Sequence, residues 1–141
     1  MNVQTAFHEY AKFLENLTVE GVSNLSGYVS DNVLFSDPFH EVKGAAQMAQ
    51  ILVQMFEKVS NISFKINSSA SNGNIVYFNW VLNGTLSKKS WVIEGVTQLK
   101  FDEKMKIESH VEYWDAASQF YERFPIFGPM LRYFRHRIAG S

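Results

Sequence analysis

Three side chains in this sequence are of types that move protons, and each lies along or at the end of an apolar strand. Asp37 follows VLFS and precedes Pro38, so a carboxylate stands where a short strand must stop, because proline lacks the ladder donor. His110 and Glu112 are two residues apart in IESHVEYW. On a strand, positions i and i+2 share a face about 7 Å apart, near enough to share a substrate or a water. Imidazole and carboxylate together suit general acid–base work, since burial drives a carboxyl toward its neutral form while a neighbouring imidazolium draws it back. Other readings of the same residues stand beside this one. Asp-Pro is a common turn cap, and alternation in the last strand also permits Val111 and Tyr113 inside with His110 and Glu112 in water.

Absent motifs narrow the chemistry. There are no cysteines, hence no disulfide, thiolate metal site or cysteine nucleophile. No phosphate-binding glycine loop, His-Glu-x-x-His or Gly-x-Ser-x-Gly occurs, so no nucleotide or metal cofactor is implied. His40 and Glu41 are two neighbours on a loop, too few to make a metal site.

The elements that must position these groups can be read from periodicity. Phe7, Tyr10, Ala11, Leu14 and Leu17 predict an amphipathic helix from Val3 to Leu17. Thr18 is placed to cap a short second helix reaching Tyr28 that buries Val22 and Leu25. A strand over Val33 to Ser36, a polar loop and Gly44 lead into a third helix, Ala45 to Val59, with Met48, Ile51, Leu52, Met55, Phe56 and Val59 on one stripe. After Ser60 the period becomes 2. Strands are predicted around Ile62 to Ser68, Ile75 to Leu82, Ser90 to Phe101 and Ile107 to Trp114, with a hairpin turn at Asn72-Gly73 and a loop over Asn83 to Lys89. In the long strand Trp91, Ile93, Thr97, Leu99 and Phe101 form the inward face. Asp115 caps a closing helix to about Phe124, and Pro125, Gly128 and Pro129 precede a basic segment, Met130 to Ile138.

Helices followed by an antiparallel meander make an α+β domain with the helices over one face of the sheet. At 141 residues one domain, 1–141, accounts for the chain, and a chain of this length buries about 68–70% of its unfolded surface. Its 12 phenylalanines exceed what a minimal core needs and suit a wide apolar interior or an oligomer interface. A net charge of −1 offers no field to attract nucleic acid. The first residues lack the basic start and unbroken apolar run of a signal peptide, which gives the expectation of a cytoplasmic protein.

FHEYAKFL, VSDNVLFSDPFHEVKGAAQMAQIL and WVIEGVTQLKFDEKMKIESHVEYWDA together resemble the nuclear transport factor 2-like superfamily, which includes ketosteroid isomerase, scytalone dehydratase, limonene epoxide hydrolase and the SnoaL-like polyketide cyclases. The resemblance implies a cone: a strongly curved antiparallel sheet wrapped around N-terminal helices, with a pocket inside. Asp37 falls on the general-base position of the isomerase-like members. Tyr10, or Phe13 in its stead, falls near the oxyanion-binding tyrosine. Thr97 replaces the second, protonated acid, a departure that speaks against steroid isomerisation. The same register turns His110, Glu112 and Trp114 toward the cavity, where other members use histidine with a carboxylate for dehydration, cyclisation or hydrolysis.

The expected function is therefore binding of a small hydrophobic ligand, without cofactor, in a pocket lined by Trp80, Trp91, Thr97, Trp114, Phe56 and Met55. Two other readings remain: an acid–base lyase, isomerase or cyclase built on Asp37, His110, Glu112 and Tyr10, or an assembly module whose rings fill the pocket. A homodimer through the outer face of the sheet is expected. The C-terminal extension, 125–141, alternates aromatic and basic residues; it closes the cone, packs on a partner subunit or touches a membrane surface, packing being favoured over the membrane.

Overall fold

The computed structural model describes residues 1–119 and 127–140. The first helix, α1, runs over Val3–Glu15, capped by Asn2, whose side-chain oxygen accepts the Thr5 N–H at 2.9 Å. It buries Ala6, Phe7, Tyr10 and Leu14. The second helix differs from expectation: Glu20–Gly27 is a 3₁₀ helix. Thr18 does take the Gly21 N–H at 3.0 Å, but a segment held between Gly21 and Gly27 winds tighter than an α-helix. Val22 and Leu25 are buried as predicted.

Strand β1, Val29–Ser36, begins earlier than its apolar core suggested, and it is followed by an unforeseen strand, β2, at Glu41–Lys43. The expected polar loop is thus an antiparallel hairpin in which Phe35 opposes Val42. Three residues without a buried side chain carry no alternation to read. Gly44 then turns the chain at φ +119°, a conformation that suits glycine, and opens α2 over Ala45–Lys58. Met48 and Leu52 of α2 are buried, while Ile51, Met55 and Phe56 on the same stripe are only half-buried. That partial exposure marks where α2 borders a space rather than a wall.

Strands β3 (Val59–Asn72), β4 (Ile75–Leu86), β5 (Lys89–Phe101) and β6 (Ile107–Tyr113) form the expected meander. Two turns move. The β3–β4 turn is at Gly73-Asn74, one residue later than predicted. The loop expected over Asn83 to Lys89 is instead strand up to Leu86, closed by Ser87 and Lys88, both at positive φ. Neither is glycine or asparagine, so nothing in the sequence announced the turn. Along β5 the residues Trp91, Ile93, Thr97, Leu99 and Phe101 are buried, as alternation required.

The six-stranded sheet has the order β2-β1-β6-β5-β4-β3. It is antiparallel except where β1 lies parallel beside β6, a pairing that sets Phe35 opposite His110. Asp115 caps helix α3, Ala116–Gln119, by accepting the Ser118 O–H at 2.6 Å and its N–H at 3.2 Å. These bonds, the hydroxyl's first, hold the Asp115 carboxyl below its ordinary range. The rest of the helix predicted to Phe124 lies outside the described residues. Helix α4, Phe127–Ala139, takes up the basic segment and leaves Met130, Tyr133, Phe134 and Ile138 exposed. Among the described residues no helix is long and apolar enough to cross a membrane.

Candidate functional site

A cavity of about 410 Å³ opens between α2 and the inner face of the sheet. Its aromatic walls come from five places in the chain: Phe35 on β1, Phe39 in the β1–β2 turn, Trp80 on β4, Trp91 on β5 and Trp114 just after β6. Ile51, Leu52 and Met55 of α2 close the opposite side. A smaller cavity of about 90 Å³ shares Leu52, Met55, Trp80, Leu82 and Glu112 with it and adds Phe56 and His110.

Each indole is fixed by a partner that its sequence position does not advertise. Trp80 pairs across the strands with Gly95, and a Cβ at Gly95 would come within 2.6 Å of the indole Cζ2. The glycine therefore makes room for the ring, whose N–H donates to Thr97 Oγ1 at 2.8 Å. The Trp91 N–H donates to the Gln119 carbonyl at 2.8 Å. Gln119 is itself held to β5, its side chain accepting the Glu94 N–H at 2.7 Å and donating to the Glu94 carbonyl at 3.2 Å. Trp114 stands edge-on to Phe39 at 5.3 Å and to Trp91 at 6.5 Å.

Two carboxylates reach the cavity wall. Asp37 closes the β1–β2 turn: its Oδ1 accepts the backbone N–H groups of Phe39 and His40, both at 2.7 Å. The His40 ring donates from Nδ1 to the same oxygen at 3.0 Å, with Oδ2 at 3.2 Å. The turn-cap reading of Asp37 is thus realised, and the side chain still lines the cavity. Glu112 comes from β6 and accepts from His110 Nε2 at 3.0 Å. Behind His110, the Tyr10 hydroxyl meets Nδ1 at 2.9 Å.

The direction of the hydrogen bonds in that line follows from burial. Tyr10 is wholly buried, and burial first, with the nearby Glu112 charge second, pushes its phenol well above the ordinary range. The phenol therefore keeps its proton and must give it to an acceptor, which His110 Nδ1 supplies. The ring proton then belongs on Nε2, aimed at Glu112. His110 is 2% exposed and packs beside Phe35 at 5.2 Å. The alternative register, with Tyr113 inside, is not adopted: Tyr113 is 59% exposed.

Of the residues singled out from the sequence, Asp37, Glu112, Trp80, Trp91, Trp114 and Met55 line the larger cavity. His110 and Phe56 line the smaller one. Tyr10 and Thr97 line neither and stand behind it, each hydrogen-bonded to a residue nearer the wall. Phe13 stacks on Tyr28 at 4.5 Å and takes no part in the line. Periodicity passed over Phe39, His40, Gln54, Lys58 and Gln119; the signal for His40 was its place three residues after Asp37, within reach of a turn-capping carboxylate. Among the described residues no three histidines or carboxylates gather as metal ligands.

A family model described as a SnoaL-like domain matches residues 10–110. No match was found among curated proteins. Among solved structures, a putative SnoaL-like polyketide cyclase from Shewanella denitrificans OS-217 is similar at 25% identity and TM-score 0.65, covering 80% of this chain and 90% of its own. An LEH-like epoxide hydrolase from M. tuberculosis is similar at 16% identity and TM-score 0.67, over 99% of this chain and 96% of its own. A nuclear transport factor 2-like protein from Burkholderia thailandensis E264 has TM-score 0.72 at 11% identity, over 82% and 92%.

Proposed function

The chain belongs to the SnoaL-like domain family, and from that premise we propose that it binds a small hydrophobic compound in the cavity between α2 and the sheet. The observation that carries this reading is the cavity itself. About 410 Å³ falls within the range of small-molecule sites, and aromatic and aliphatic walls with few polar groups are what such sites need. The rings that could have filled the interior stand around it, which disfavours a purely assembling role.

The experiment is a titration with N-phenyl-1-naphthylamine, a neutral apolar fluorophore that accepts energy from tryptophan. Saturable binding of one probe per chain is expected. Leu86→Phe and Ile51→Phe, which intrude on the cavity, are expected to weaken it by about tenfold or more. A folded wild-type protein that shows no saturable binding would overturn the reading.

A second reading is acid–base catalysis, favoured by the continuous Tyr10–His110–Glu112 line ending at the cavity wall. Glu112 would be the group that touches substrate, with His110 and Tyr10 positioning it and Asp37 as the second carboxylate. Epoxide hydrolase and polyketide cyclase are activities named for proteins of this fold, and lyase, isomerase, cyclase or hydrolase chemistry without a cofactor fits such a site. Turnover of an epoxide or a polyketide-like ketone, lost in Glu112→Gln, is its test.

We further propose a homodimer through the outer face of the sheet, where Tyr77, Val92, Val96 and Tyr113 are exposed together. Val96→Lys is expected to shift sedimentation from dimer to monomer; a monomeric wild-type protein contradicts it.

A further inference from the structure

We propose that the ligand is a hydrophobic amine whose ammonium group sits on Glu112 while its apolar body lies against the tryptophans. This rests on the cavity being a ligand site and names the chemistry it selects.

Glu112 is a carboxylate with capacity to spare. Its Oε2 receives one N–H from His110, and among the described residues its Oε1 has no hydrogen-bond partner. His110 does not cancel the charge. The buried Tyr10 hydroxyl donates to Nδ1, so the imidazole is the neutral tautomer protonated on Nε2, and the pair keeps one negative charge at the cavity wall. The Glu112 side chain is 22% exposed, so most of its water has already been removed by folding rather than on ligand binding.

The other polar groups at the wall do not change the sign. Asp37 is satisfied by two backbone N–H groups and by His40, whose Nδ1–H it accepts. Lys58 and Gln54 lie on the exposed last turns of α2, at the mouth. Among the described residues of the wall, Lys58 is the one lysine or arginine and faces two carboxylates; both Asp37 oxygens share the His40 N–H, whereas Glu112 Oε1 has no donor.

The walls suit a cation as well. All three tryptophans of the chain line this cavity. Trp80 and Trp91 direct their N–H edges elsewhere, to Thr97 and to the Gln119 carbonyl. Aromatic faces attract cations, indole most strongly, and more so where water is excluded. A carboxylate ligand would meet Glu112 with like charge, and an alcohol would give it a hydrogen bond without the attraction of opposite charges.

The test compares cyclohexylmethylamine, cyclohexylmethanol and cyclohexanecarboxylate, three probes of nearly one shape, on the full chain at pH 7. Tryptophan fluorescence and calorimetry are the readouts. The amine is expected to bind about tenfold or more tighter than the alcohol, the difference between a hydrogen-bonded ion pair and a hydrogen bond to the same carboxylate alone, and the carboxylate weakest. Glu112→Gln is expected to remove the amine's advantage over the alcohol, with N-phenyl-1-naphthylamine binding as the check that the cavity is intact. Equal wild-type affinities for amine and alcohol would overturn the inference while leaving the cavity reading in place. Failure of all three probes and of N-phenyl-1-naphthylamine would overturn the cavity reading itself.

Discussion

Asp37 with His40 and Glu112 with His110 are built from the same two residue types at the same 3.0 Å separation, and both carboxylates border one cavity. Their surroundings divide them. Asp37 sits in a turn whose backbone donors take up its oxygen, and its histidine side chain is 38% exposed. Glu112 projects from the body of a strand that offers it no backbone donor, and its histidine is sealed against Tyr10 and Phe35. What a carboxylate can still do is set by the donors its local backbone leaves unmet, and neither residue type nor pairing distance reports that.

The contrast can be broken most forcefully at the histidines. His110→Ala is expected to lower unfolding free energy by about 3 kcal/mol, because it leaves the buried Tyr10 hydroxyl without an acceptor and opens a void. His40→Ala, at a half-exposed turn, is expected to cost under about 0.5 kcal/mol. Urea denaturation of the two variants checks this; equal losses would erase the distinction.

Tyr10→Phe sharpens it. The single hydrogen bond is worth about 1 kcal/mol, and the loss should be less than additive with His110→Ala, since both remove the same contact. The variant also has a pH signature. The folded phenol titrates above its unfolded value of 10.0, so the unfolded chain loses this proton first as pH rises. Stability from this group is complete below about pH 10 and declines as pH climbs toward the folded value. Alkaline denaturation of Tyr10→Phe should lack that part of the slope.

At the other pair, Asp37→Ala is expected to cost about 1 kcal/mol, as loss of a carboxylate cap does, and Asp37→Asn only a few tenths, because an amide oxygen still accepts the Phe39 and His40 N–H groups. The smallest effect lies at Asp115. Its carboxyl titrates below its unfolded value of 3.8, so its contribution is present above that pH and fades as pH falls through the folded value. Asp115→Asn should flatten the acid limb slightly in a pH-dependent melt.

The fold was legible wherever a long strand or helix repeated its pattern. The inward face of β5 and the stripe of α2 are such cases. β2 was not, being three residues with no buried side chain, nor was the Ser87-Lys88 turn, which carries none of the residues that favour positive φ. At the site, His110 and Glu112 were readable as an i, i+2 pair. The bond from Tyr10, one hundred residues away in sequence, was not, because only the parallel β1–β6 joint and the docking of α1 bring the two together. Thr97 was expected at the pocket wall. It holds Trp80 instead, since Gly95 lets the indole lie across β5 within reach of the hydroxyl.

The most direct measurement is carboxyl ¹³C NMR of the glutamate- and aspartate-labelled full chain during titration with cyclohexylmethylamine. The Glu112 resonance, assigned by its loss in Glu112→Gln, is expected to move to saturation while that of Asp37 stays in place. A shift of Asp37 with Glu112 unmoved would contradict it.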